Sequence, residues 1–453
     1  MSNNFMKGIC SKIKEFTLEN KSNLTLLLFF FLFFQGSWFS LKLYNYITLS
    51  SDYSHFLLGD SKEYINLALD ILKNREYYID NYWSRPPGYP IVLSIVFWFF
   101  EGKNIIAASI FNILFSFFTV LLLYLLVKKL SNNRIALFSS LLLTLSPMFI
   151  FYSNTVMTEA IFTTLLIFGL YFYTEYFFLN GKKYYVALSA TILGLSVYLK
   201  PTALYIVFPL ALPLFLIYKG SLYYFFKKYS VFILVFLSIV SPMFIYNYMK
   251  SGVITFSTMQ GANLYYQTAH KVMQDNMSIS SEKSMEMLNS NLNLKNTDSK
   301  LKKNSIRGNK AARILLENPL TYLKLVTMNS IQILLHPGKA QLGKVILKNR
   351  SHPSVVSTLM GKSDFRLILL TWSVVFYLSI CMALFIFGSF FLYKRGRYKL
   401  LLLLSLLILY FVFLGAHVDD TPRFRVPVLP LIAIISGYGL YELKHIASKR
   451  LLE

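Results

Sequence analysis

Apolar runs of membrane-spanning length alternate with short polar connections along most of the chain. A helix needs about 20 largely apolar residues to cross a bilayer. Runs of that order fall at 23–47, 105–127, 134–152, 157–178, 184–199, 201–219, 228–249, 367–393, 398–416 and 425–444. The pattern predicts an all-α polytopic membrane protein of about ten transmembrane helices. The first run follows Lys7, Lys12, Lys14 and Lys21 and lacks a small-residue cleavage site, so it is expected to persist as an anchor.

Two stretches, 48–104 and 250–366, interrupt this rhythm. In the first, GDSKEYINLALDILK sets Tyr64, Leu67, Ala68, Ile71 and Leu72 on one helical stripe, the signature of a short interfacial helix. In the second, 271–310 is a polar excursion rich in Asn, Ser and Lys. Segment 317–338 is apolar enough for an eleventh span, but a crossing there would turn KRGRYK (394–399) outward. It is therefore expected to lie in the interface, with Leu320, Leu323, Val326 and Ile333 among its apolar residues. The expected organisation is a cytoplasmic N-terminus (1–22), a seven-span membrane module (23–249) with a large first outer loop (48–104), an outer loop (250–366) and a C-terminal three-span bundle with a cytoplasmic tail (367–453).

Charge orients this array. Counted with the N-terminus inside, the connections 1–22, 128–134, 179–183, 219–228, 394–399 and 444–453 hold 19 Lys or Arg, and the short outer turns almost none. That asymmetry places both termini in the cytoplasm. It also accounts for the net charge of +24 through orientation and anionic lipid headgroups, and with no recognition motif present nucleic acid is not an expected partner. Hydrophobic residues make up 55% of the chain, which excludes an ordinary soluble domain. Cys10 and Cys381 are too far apart to suggest a disulfide framework.

The acids are distributed differently. Seven of the 21, namely Asp52, Asp60, Glu63, Asp70, Glu76, Asp80 and Glu101, fall within 48–104. Asp60 sits where an N-cap would, with Glu63 three residues on as a box-like partner. A cap uses one carboxylate oxygen, and the same position suits an ionised general base. In WSRPPGYP, Pro86 and Pro87 hold Arg85 on a stiff, extended backbone. Its guanidinium is thereby presented either to lipid headgroups or to a bound phosphate. Glu159 begins a span, where a carboxylate suits the helix dipole. Lys200 in YLKP lies at an outer turn against the charge bias, and HVDDTPRFR adds His417, Asp419, Asp420, Arg423 and Arg425 at the last one. Each has a structural explanation alone, but Asp60, Arg85, Glu159, Lys200 and Arg423 all fall on one membrane face. Such convergence suits an anionic ligand and a proton transfer. No compelling metal-ligand spacing is present, since His417 with Asp419 and Asp420 is a weak cluster, although the carboxylates leave a divalent cation open.

The ordered set GDSKEYINLA, RPPGYPIVLSIVF, ALFSSLLLTLSPMFIFYSNTVMTEAIF, GLSVYLKPTALY and RFRVPVLPLIAIISGYGL resembles the GT-C superfamily of integral membrane glycosyltransferases. The nearest likeness is to the branch of protein O-mannosyltransferases and the lipid A aminoarabinose transferase. It covers most of the spans and little of 271–366. The resemblance implies a sugar donor on a polyprenyl phosphate, used at the outer face of the cell membrane on a glycan, lipid or protein acceptor. It further implies a catalytic module over 23–249, catalytic roles for Asp60 and Glu159, and donor-phosphate binding by Arg85, Lys200 and Arg423. Glu63, Asn247, Asn263 and Asp420 are secondary candidates. Where many relatives carry Arg-Asn after the seventh span, this chain has Tyr246 and Asn247. Two other readings remain: a flippase for lipid-linked sugars, and a ligase or polymerase using a pyrophosphate-linked donor.

Overall fold

The computed structural model describes residues 2–50, 53–74, 85–218, 221–257, 259–290, 292, 294, 299–338, 341, 365–418 and 421–450. Among them the chain is helical throughout and no strand occurs. In order the helices are α1 (Ser2–Asn45), α2 (Ser61–Asn74), α3 (Gly88–Phe99), α4 (Ile105–Leu130), α5 (Asn133–Thr144), α6 (Pro147–Ser153), α7 (Glu159–Phe177), α8 (Tyr184–Val197), α9 (Val207–Ile217) and α10 (Leu222–Ser251). Then follow α11 (Met259–Asn263), α12 (His270–Met277), α13 (Ser281–Asn289), α14 (Lys300–Glu317), α15 (Pro319–Leu335), α16 (Phe365–Lys394), α17 (Tyr398–Gly415), α18 (Thr421–Arg425) and α19 (Leu429–Arg450).

Among the described residues, seven helical stretches are long and apolar enough to span a membrane: Glu19–Thr48, Ile105–Leu130, Glu159–Phe177, Leu222–Ser251, Phe365–Lys394, Tyr398–Gly415 and Pro422–Lys449. The expected span at 134–152 is the pair α5 and α6, bent by 65° at a break before Pro147. The two expected spans at 184–199 and 201–219 are shorter apolar helices, Tyr184–Val197 and Pro201–Ile217. Among the described residues, length and composition alone therefore give seven spans, or eight with the bent pair, and a count of ten requires the two short helices to cross as well.

Helix α7 is flanked by α4 and α8, while α19 packs against α5 and α16. Close backbone approach explains the second contact. A Cβ on Gly439 would lie 2.2 Å from the Leu384 carbonyl oxygen, and one on Gly388 would lie 2.0 Å from that of Ile435. Small residues at such crossings let helices pack where lipid supplies no hydrophobic drive. By contrast, Phe29, Leu32 and Phe33 on α1 and Phe376, Ile386 and Phe390 on α16 are exposed, as lipid-facing side chains should be.

The short amphipathic helix expected within 59–73 is present as α2, with Tyr64, Ile65, Leu67 and Ala68 buried and Lys62 exposed. Within 317–338, α15 spans Pro319–Leu335, and its Val326 and Ile333 turn inward while Leu320 and Leu323 face out. Upstream, α12, α13 and α14 enclose a small core of their own around Tyr265, Val272, Leu288 and Ala311.

Candidate active site

Five separate segments converge at one end of the bundle. Asp60 and Glu63 come from the start of α2, Arg85 from just before α3, Glu159 from the first turn of α7, Lys200 from the α8–α9 break and Arg423 from α18. Their side chains form one continuous chain of ion pairs. Arg85 Nε donates to Glu63 Oε2 at 2.8 Å, and its Nη2 donates to Asp60 Oδ1 at 2.5 Å. Arg423 then donates to both Asp60 Oδ2 and Glu159 Oε1. Lys200 Nζ closes the series on Glu159 Oε1 at 2.8 Å. Three carboxylates face three cations, so the cluster is neutral within itself.

Exposure is graded along it. The side chain of Glu159 is 0% exposed, Lys200 8%, Arg423 11%, Arg85 16%, Asp60 19% and Glu63 28%. Glu159 is the floor and Glu63 the rim. Removing ions from water costs several kcal/mol each, which attraction only partly offsets, so a buried cluster is weak evidence for stability. It points more strongly to function.

Local sequence explains how each group is held. The turn before Glu159 is pinned by polar side chains inside the bundle. Lys42 Nζ donates to the Asn154 carbonyl at 2.7 Å and to Thr155 Oγ1 at 3.1 Å. Asn112 Nδ2 donates to the carbonyls of Thr155 at 2.6 Å and Met157 at 3.2 Å. Intramembrane polar groups are costly unless satisfied, and here they fix the start of α7.

The RPPG and YLKP motifs meet directly. The Gly88 amide donates to the Tyr198 carbonyl at 3.0 Å, and a Cβ at Gly88 would lie 2.6 Å from that oxygen. Only glycine lets Arg85 and Lys200 approach in this way. Lys200 itself is extended (φ −138°, ψ 110°), the conformation that the following Pro201 favours. Gly88→Ala should therefore cost about 1–3 kcal/mol by overpacking. Gly59→Ala, next to Asp60 but with open space around it, should cost little. Thermal unfolding of the two variants in detergent tests the difference, and equal midpoints would contradict the contact.

Asp60 does not cap α2 with its side chain, because both carboxylate oxygens are taken by guanidinium groups. The Arg85 guanidinium also lies 5.6 Å from the centre of the Tyr64 ring. Burial pushes the Tyr64 phenol above its ordinary range, with Arg85 and Arg423 pulling the other way, so the ring is un-ionised. Arg425, two residues after Arg423, is buried and donates through Nη1 to the carbonyls of Ile333, Leu334 and His336 at the end of α15. It anchors the segment that presents Arg423 and does not enter the cluster.

A cavity of about 300 Å³ opens beside the ion pairs, lined by Asp60, Arg85, Lys200 and Arg423 and, from another segment, by Gln260, Asn263 and Gln267. Asn263 thus lies at the site. Asn247 does not: it is buried and donates to the carbonyls of Thr255 and Phe256 at 2.7 and 3.1 Å, bracing the chain that leads to Asn263. Asp419 and Asp420 lie outside the described residues, as do Asp52, Glu76 and Asp80. Among the described residues no three His, Cys, Asp or Glu side chains gather to hold a metal ion. The carboxylates of the cluster are each committed to a cation, so they do not fit a metal centre as they stand.

Residues 84–246 match the family model for dolichyl-phosphate-mannose-protein mannosyltransferases. No curated protein matches the chain by sequence. Among solved structures, the chain is similar to the archaeal oligosaccharyltransferase AglB from Archaeoglobus fulgidus in complex with an inhibitory peptide and a dolichol-phosphate. The TM-score is 0.56 at 13% identity, covering 96% of this chain and 51% of that one. The same oligosaccharyltransferase tethered with an acceptor peptide gives 0.54 at 14% identity, with the same coverage. This chain thus spans about half the length of the oligosaccharyltransferases it matches. ArnT from Cupriavidus metallidurans bound to undecaprenyl phosphate gives a TM-score of 0.42 at 12% identity, covering 92% of this chain and 78% of that one. The chain thus shares its helical fold with these oligosaccharyltransferases, and its residues 84–246 are similar to the mannosyltransferase family.

Proposed function

We propose that the chain transfers a sugar from a polyprenyl-phosphate donor to a hydroxyl acceptor at the outer face of the cell membrane, with inversion at the anomeric carbon. The observation that carries this reading is the neutral chain of ion pairs, graded from part-exposed Glu63 to fully buried Glu159, of which Asp60, Arg85, Lys200 and Arg423 line a cavity beside apolar helices. A lipid phosphate entering it can take Arg85, Lys200 and Arg423 as partners in place of carboxylates, while its tail stays among the spans. The solved oligosaccharyltransferase with a dolichol-phosphate makes a lipid phosphate a reasonable ligand for this fold.

In the transfer, the acceptor oxygen bonds to the anomeric carbon as the bond from that carbon to the phosphate oxygen breaks. The electron pair of that bond stays on the phosphate, whose charge grows by one unit. Fixed cations that need no reorganisation stabilise such developing charge most effectively. The acceptor proton passes to Asp60, which becomes available as a base when the phosphate draws a guanidinium away from it. Glu159, on the floor, holds Lys200 and Arg423 in place. Glu63 does the same for Arg85 at the rim.

The sidedness has its own test. A cysteine replacing Ser280 is expected to react with a membrane-impermeant thiol reagent in intact cells, whereas one replacing Lys394 is expected to react only after permeabilisation. The reverse pattern would put the cluster on the cytoplasmic side. Turnover of a polyprenyl-phosphate sugar by the purified chain tests the chemistry. Turnover of a pyrophosphate-linked donor alone would favour the ligase reading, and lipid translocation without transfer the flippase.

A further inference from the structure

The ion pairs account for a phosphate and a proton but not for which sugar is used. We propose that Gln260, Asn263 and Gln267 form the wall that recognises the donor sugar, reading the arrangement of its ring hydroxyls. This rests on the donor chemistry proposed above and adds the residues that select among donors.

The three amides stand at spacings of three and four, which places them on one face of a helical segment. All three line the same cavity as Asp60, Arg85 and Arg423. An amide offers a carbonyl acceptor and two N–H donors. Hydroxyls need both, so an amide can pair with a hydroxyl in either sense, and being uncharged it does not compete with the phosphate for the cations. At about 300 Å³ the cavity is at the lower end of ligand sites. That is room for one sugar ring beside a phosphate rather than for an oligosaccharide.

A selective wall must also be stiff, because a hydroxyl is rejected only if its partner cannot move to accommodate the error. This segment is braced on several sides. Behind it, Gly261 meets Gly308 of α14 so closely that a Cβ on Gly308 would lie 2.9 Å from the Gly261 Cα. Tyr265 donates through its hydroxyl to the Leu288 carbonyl at 2.7 Å, and Thr268 Oγ1 donates to the His417 carbonyl at 3.1 Å. The His417 ring in turn meets the Tyr322 hydroxyl at 2.7 Å. Upstream, Asn247 holds the backbone at 255 and 256. The small core of α12–α14 is thus a buttress for one face of the cavity.

The test measures binding by the full chain in lipid nanodiscs, using undecaprenyl-phosphate-linked mannose, glucose, galactose and arabinose, with sugar-free undecaprenyl phosphate as the fifth probe. The wild type is expected to favour one sugar over the weakest by at least about tenfold, the scale of one hydrogen bond left unmade. In the Gln260→Ala/Asn263→Ala/Gln267→Ala variant that ratio should fall to within about twofold of unity. Affinity for the sugar-free lipid should stay within about threefold, because the cations are untouched. Arg85→Gln should do the opposite, weakening all five probes and preserving the ratio. A triple variant that keeps the wild-type ratio, or a wild type with no preference, overturns the amide wall while leaving the phosphate reading intact. Equal affinity of Arg85→Gln and wild type for every probe overturns the phosphate reading instead, and a wild type that binds none of the five overturns both.

Discussion

Asp60→Asn is expected to reduce transfer by at least about 100-fold, the low end for loss of a positioned base, while donor binding is retained. Asparagine keeps the size of the side chain but not its charge or its capacity to take a proton. It also leaves one fewer carboxylate competing for Arg85 and Arg423, so affinity for the donor phosphate should hold or rise. A capping role predicts a different result, because Asn caps about as well as Asp, and the geometry already argues against that role. Arg85→Lys is the companion. It keeps the charge but loses the planar fork with which Arg85 holds Asp60 and Glu63, and should weaken donor use without abolishing it. Turnover and donor binding measured on the same preparations separate the effects. A near-wild-type rate for Asp60→Asn would move the base to Glu63 or Glu159.

Glu159→Gln should have the largest effect on stability. The carboxylate is fully buried and holds both Lys200 and Arg423. Its loss leaves Lys200 facing a neutral amide and Arg423 with Asp60 alone, and removing one partner from a buried pair costs about 3–5 kcal/mol. Adding Lys200→Met should recover part of that cost by removing one stranded charge. Denaturation in detergent reads both variants. If Glu159→Gln costs less than about 0.5 kcal/mol, the range of ordinary surface changes, water must reach the floor of the site and the graded burial is not what holds it.

Much of the site is legible in the sequence because its charges break the local rules. Lys200 is a basic residue at a turn where the charge bias predicts none, and Asp60 and Arg85 sit within 48–104, which holds seven of the 21 acids of a basic protein. Their meeting is what the sidedness expected from the charge bias implies. The register of the meeting does not, because it depends on the Gly88–Tyr198 contact between segments more than 100 residues apart. Lys42 lies within an apolar span, where a single cation usually snorkels, and its bond to the turn before Glu159 emerges only once α1 is packed. Gln260 and Gln267 carry no charge and no motif, so only the surroundings of Asn263 hint at a site there. The fold follows the same division. Several long apolar runs, 105–127, 367–393 and 398–416 among them, become helices at nearly their expected limits, whereas the bend at Pro147 and the shortness of Tyr184–Val197 are not legible from hydropathy.

Lipid analysis of cells lacking this chain decides the donor chemistry whichever sugar is transferred. A polyprenyl monophosphate bearing a single sugar is expected to accumulate, to disappear when the wild-type chain is restored, and to persist when Asp60→Asn is supplied instead. Accumulation of a pyrophosphate-linked glycan, or no change in the lipid-linked sugars at all, would contradict the transfer proposed for this site.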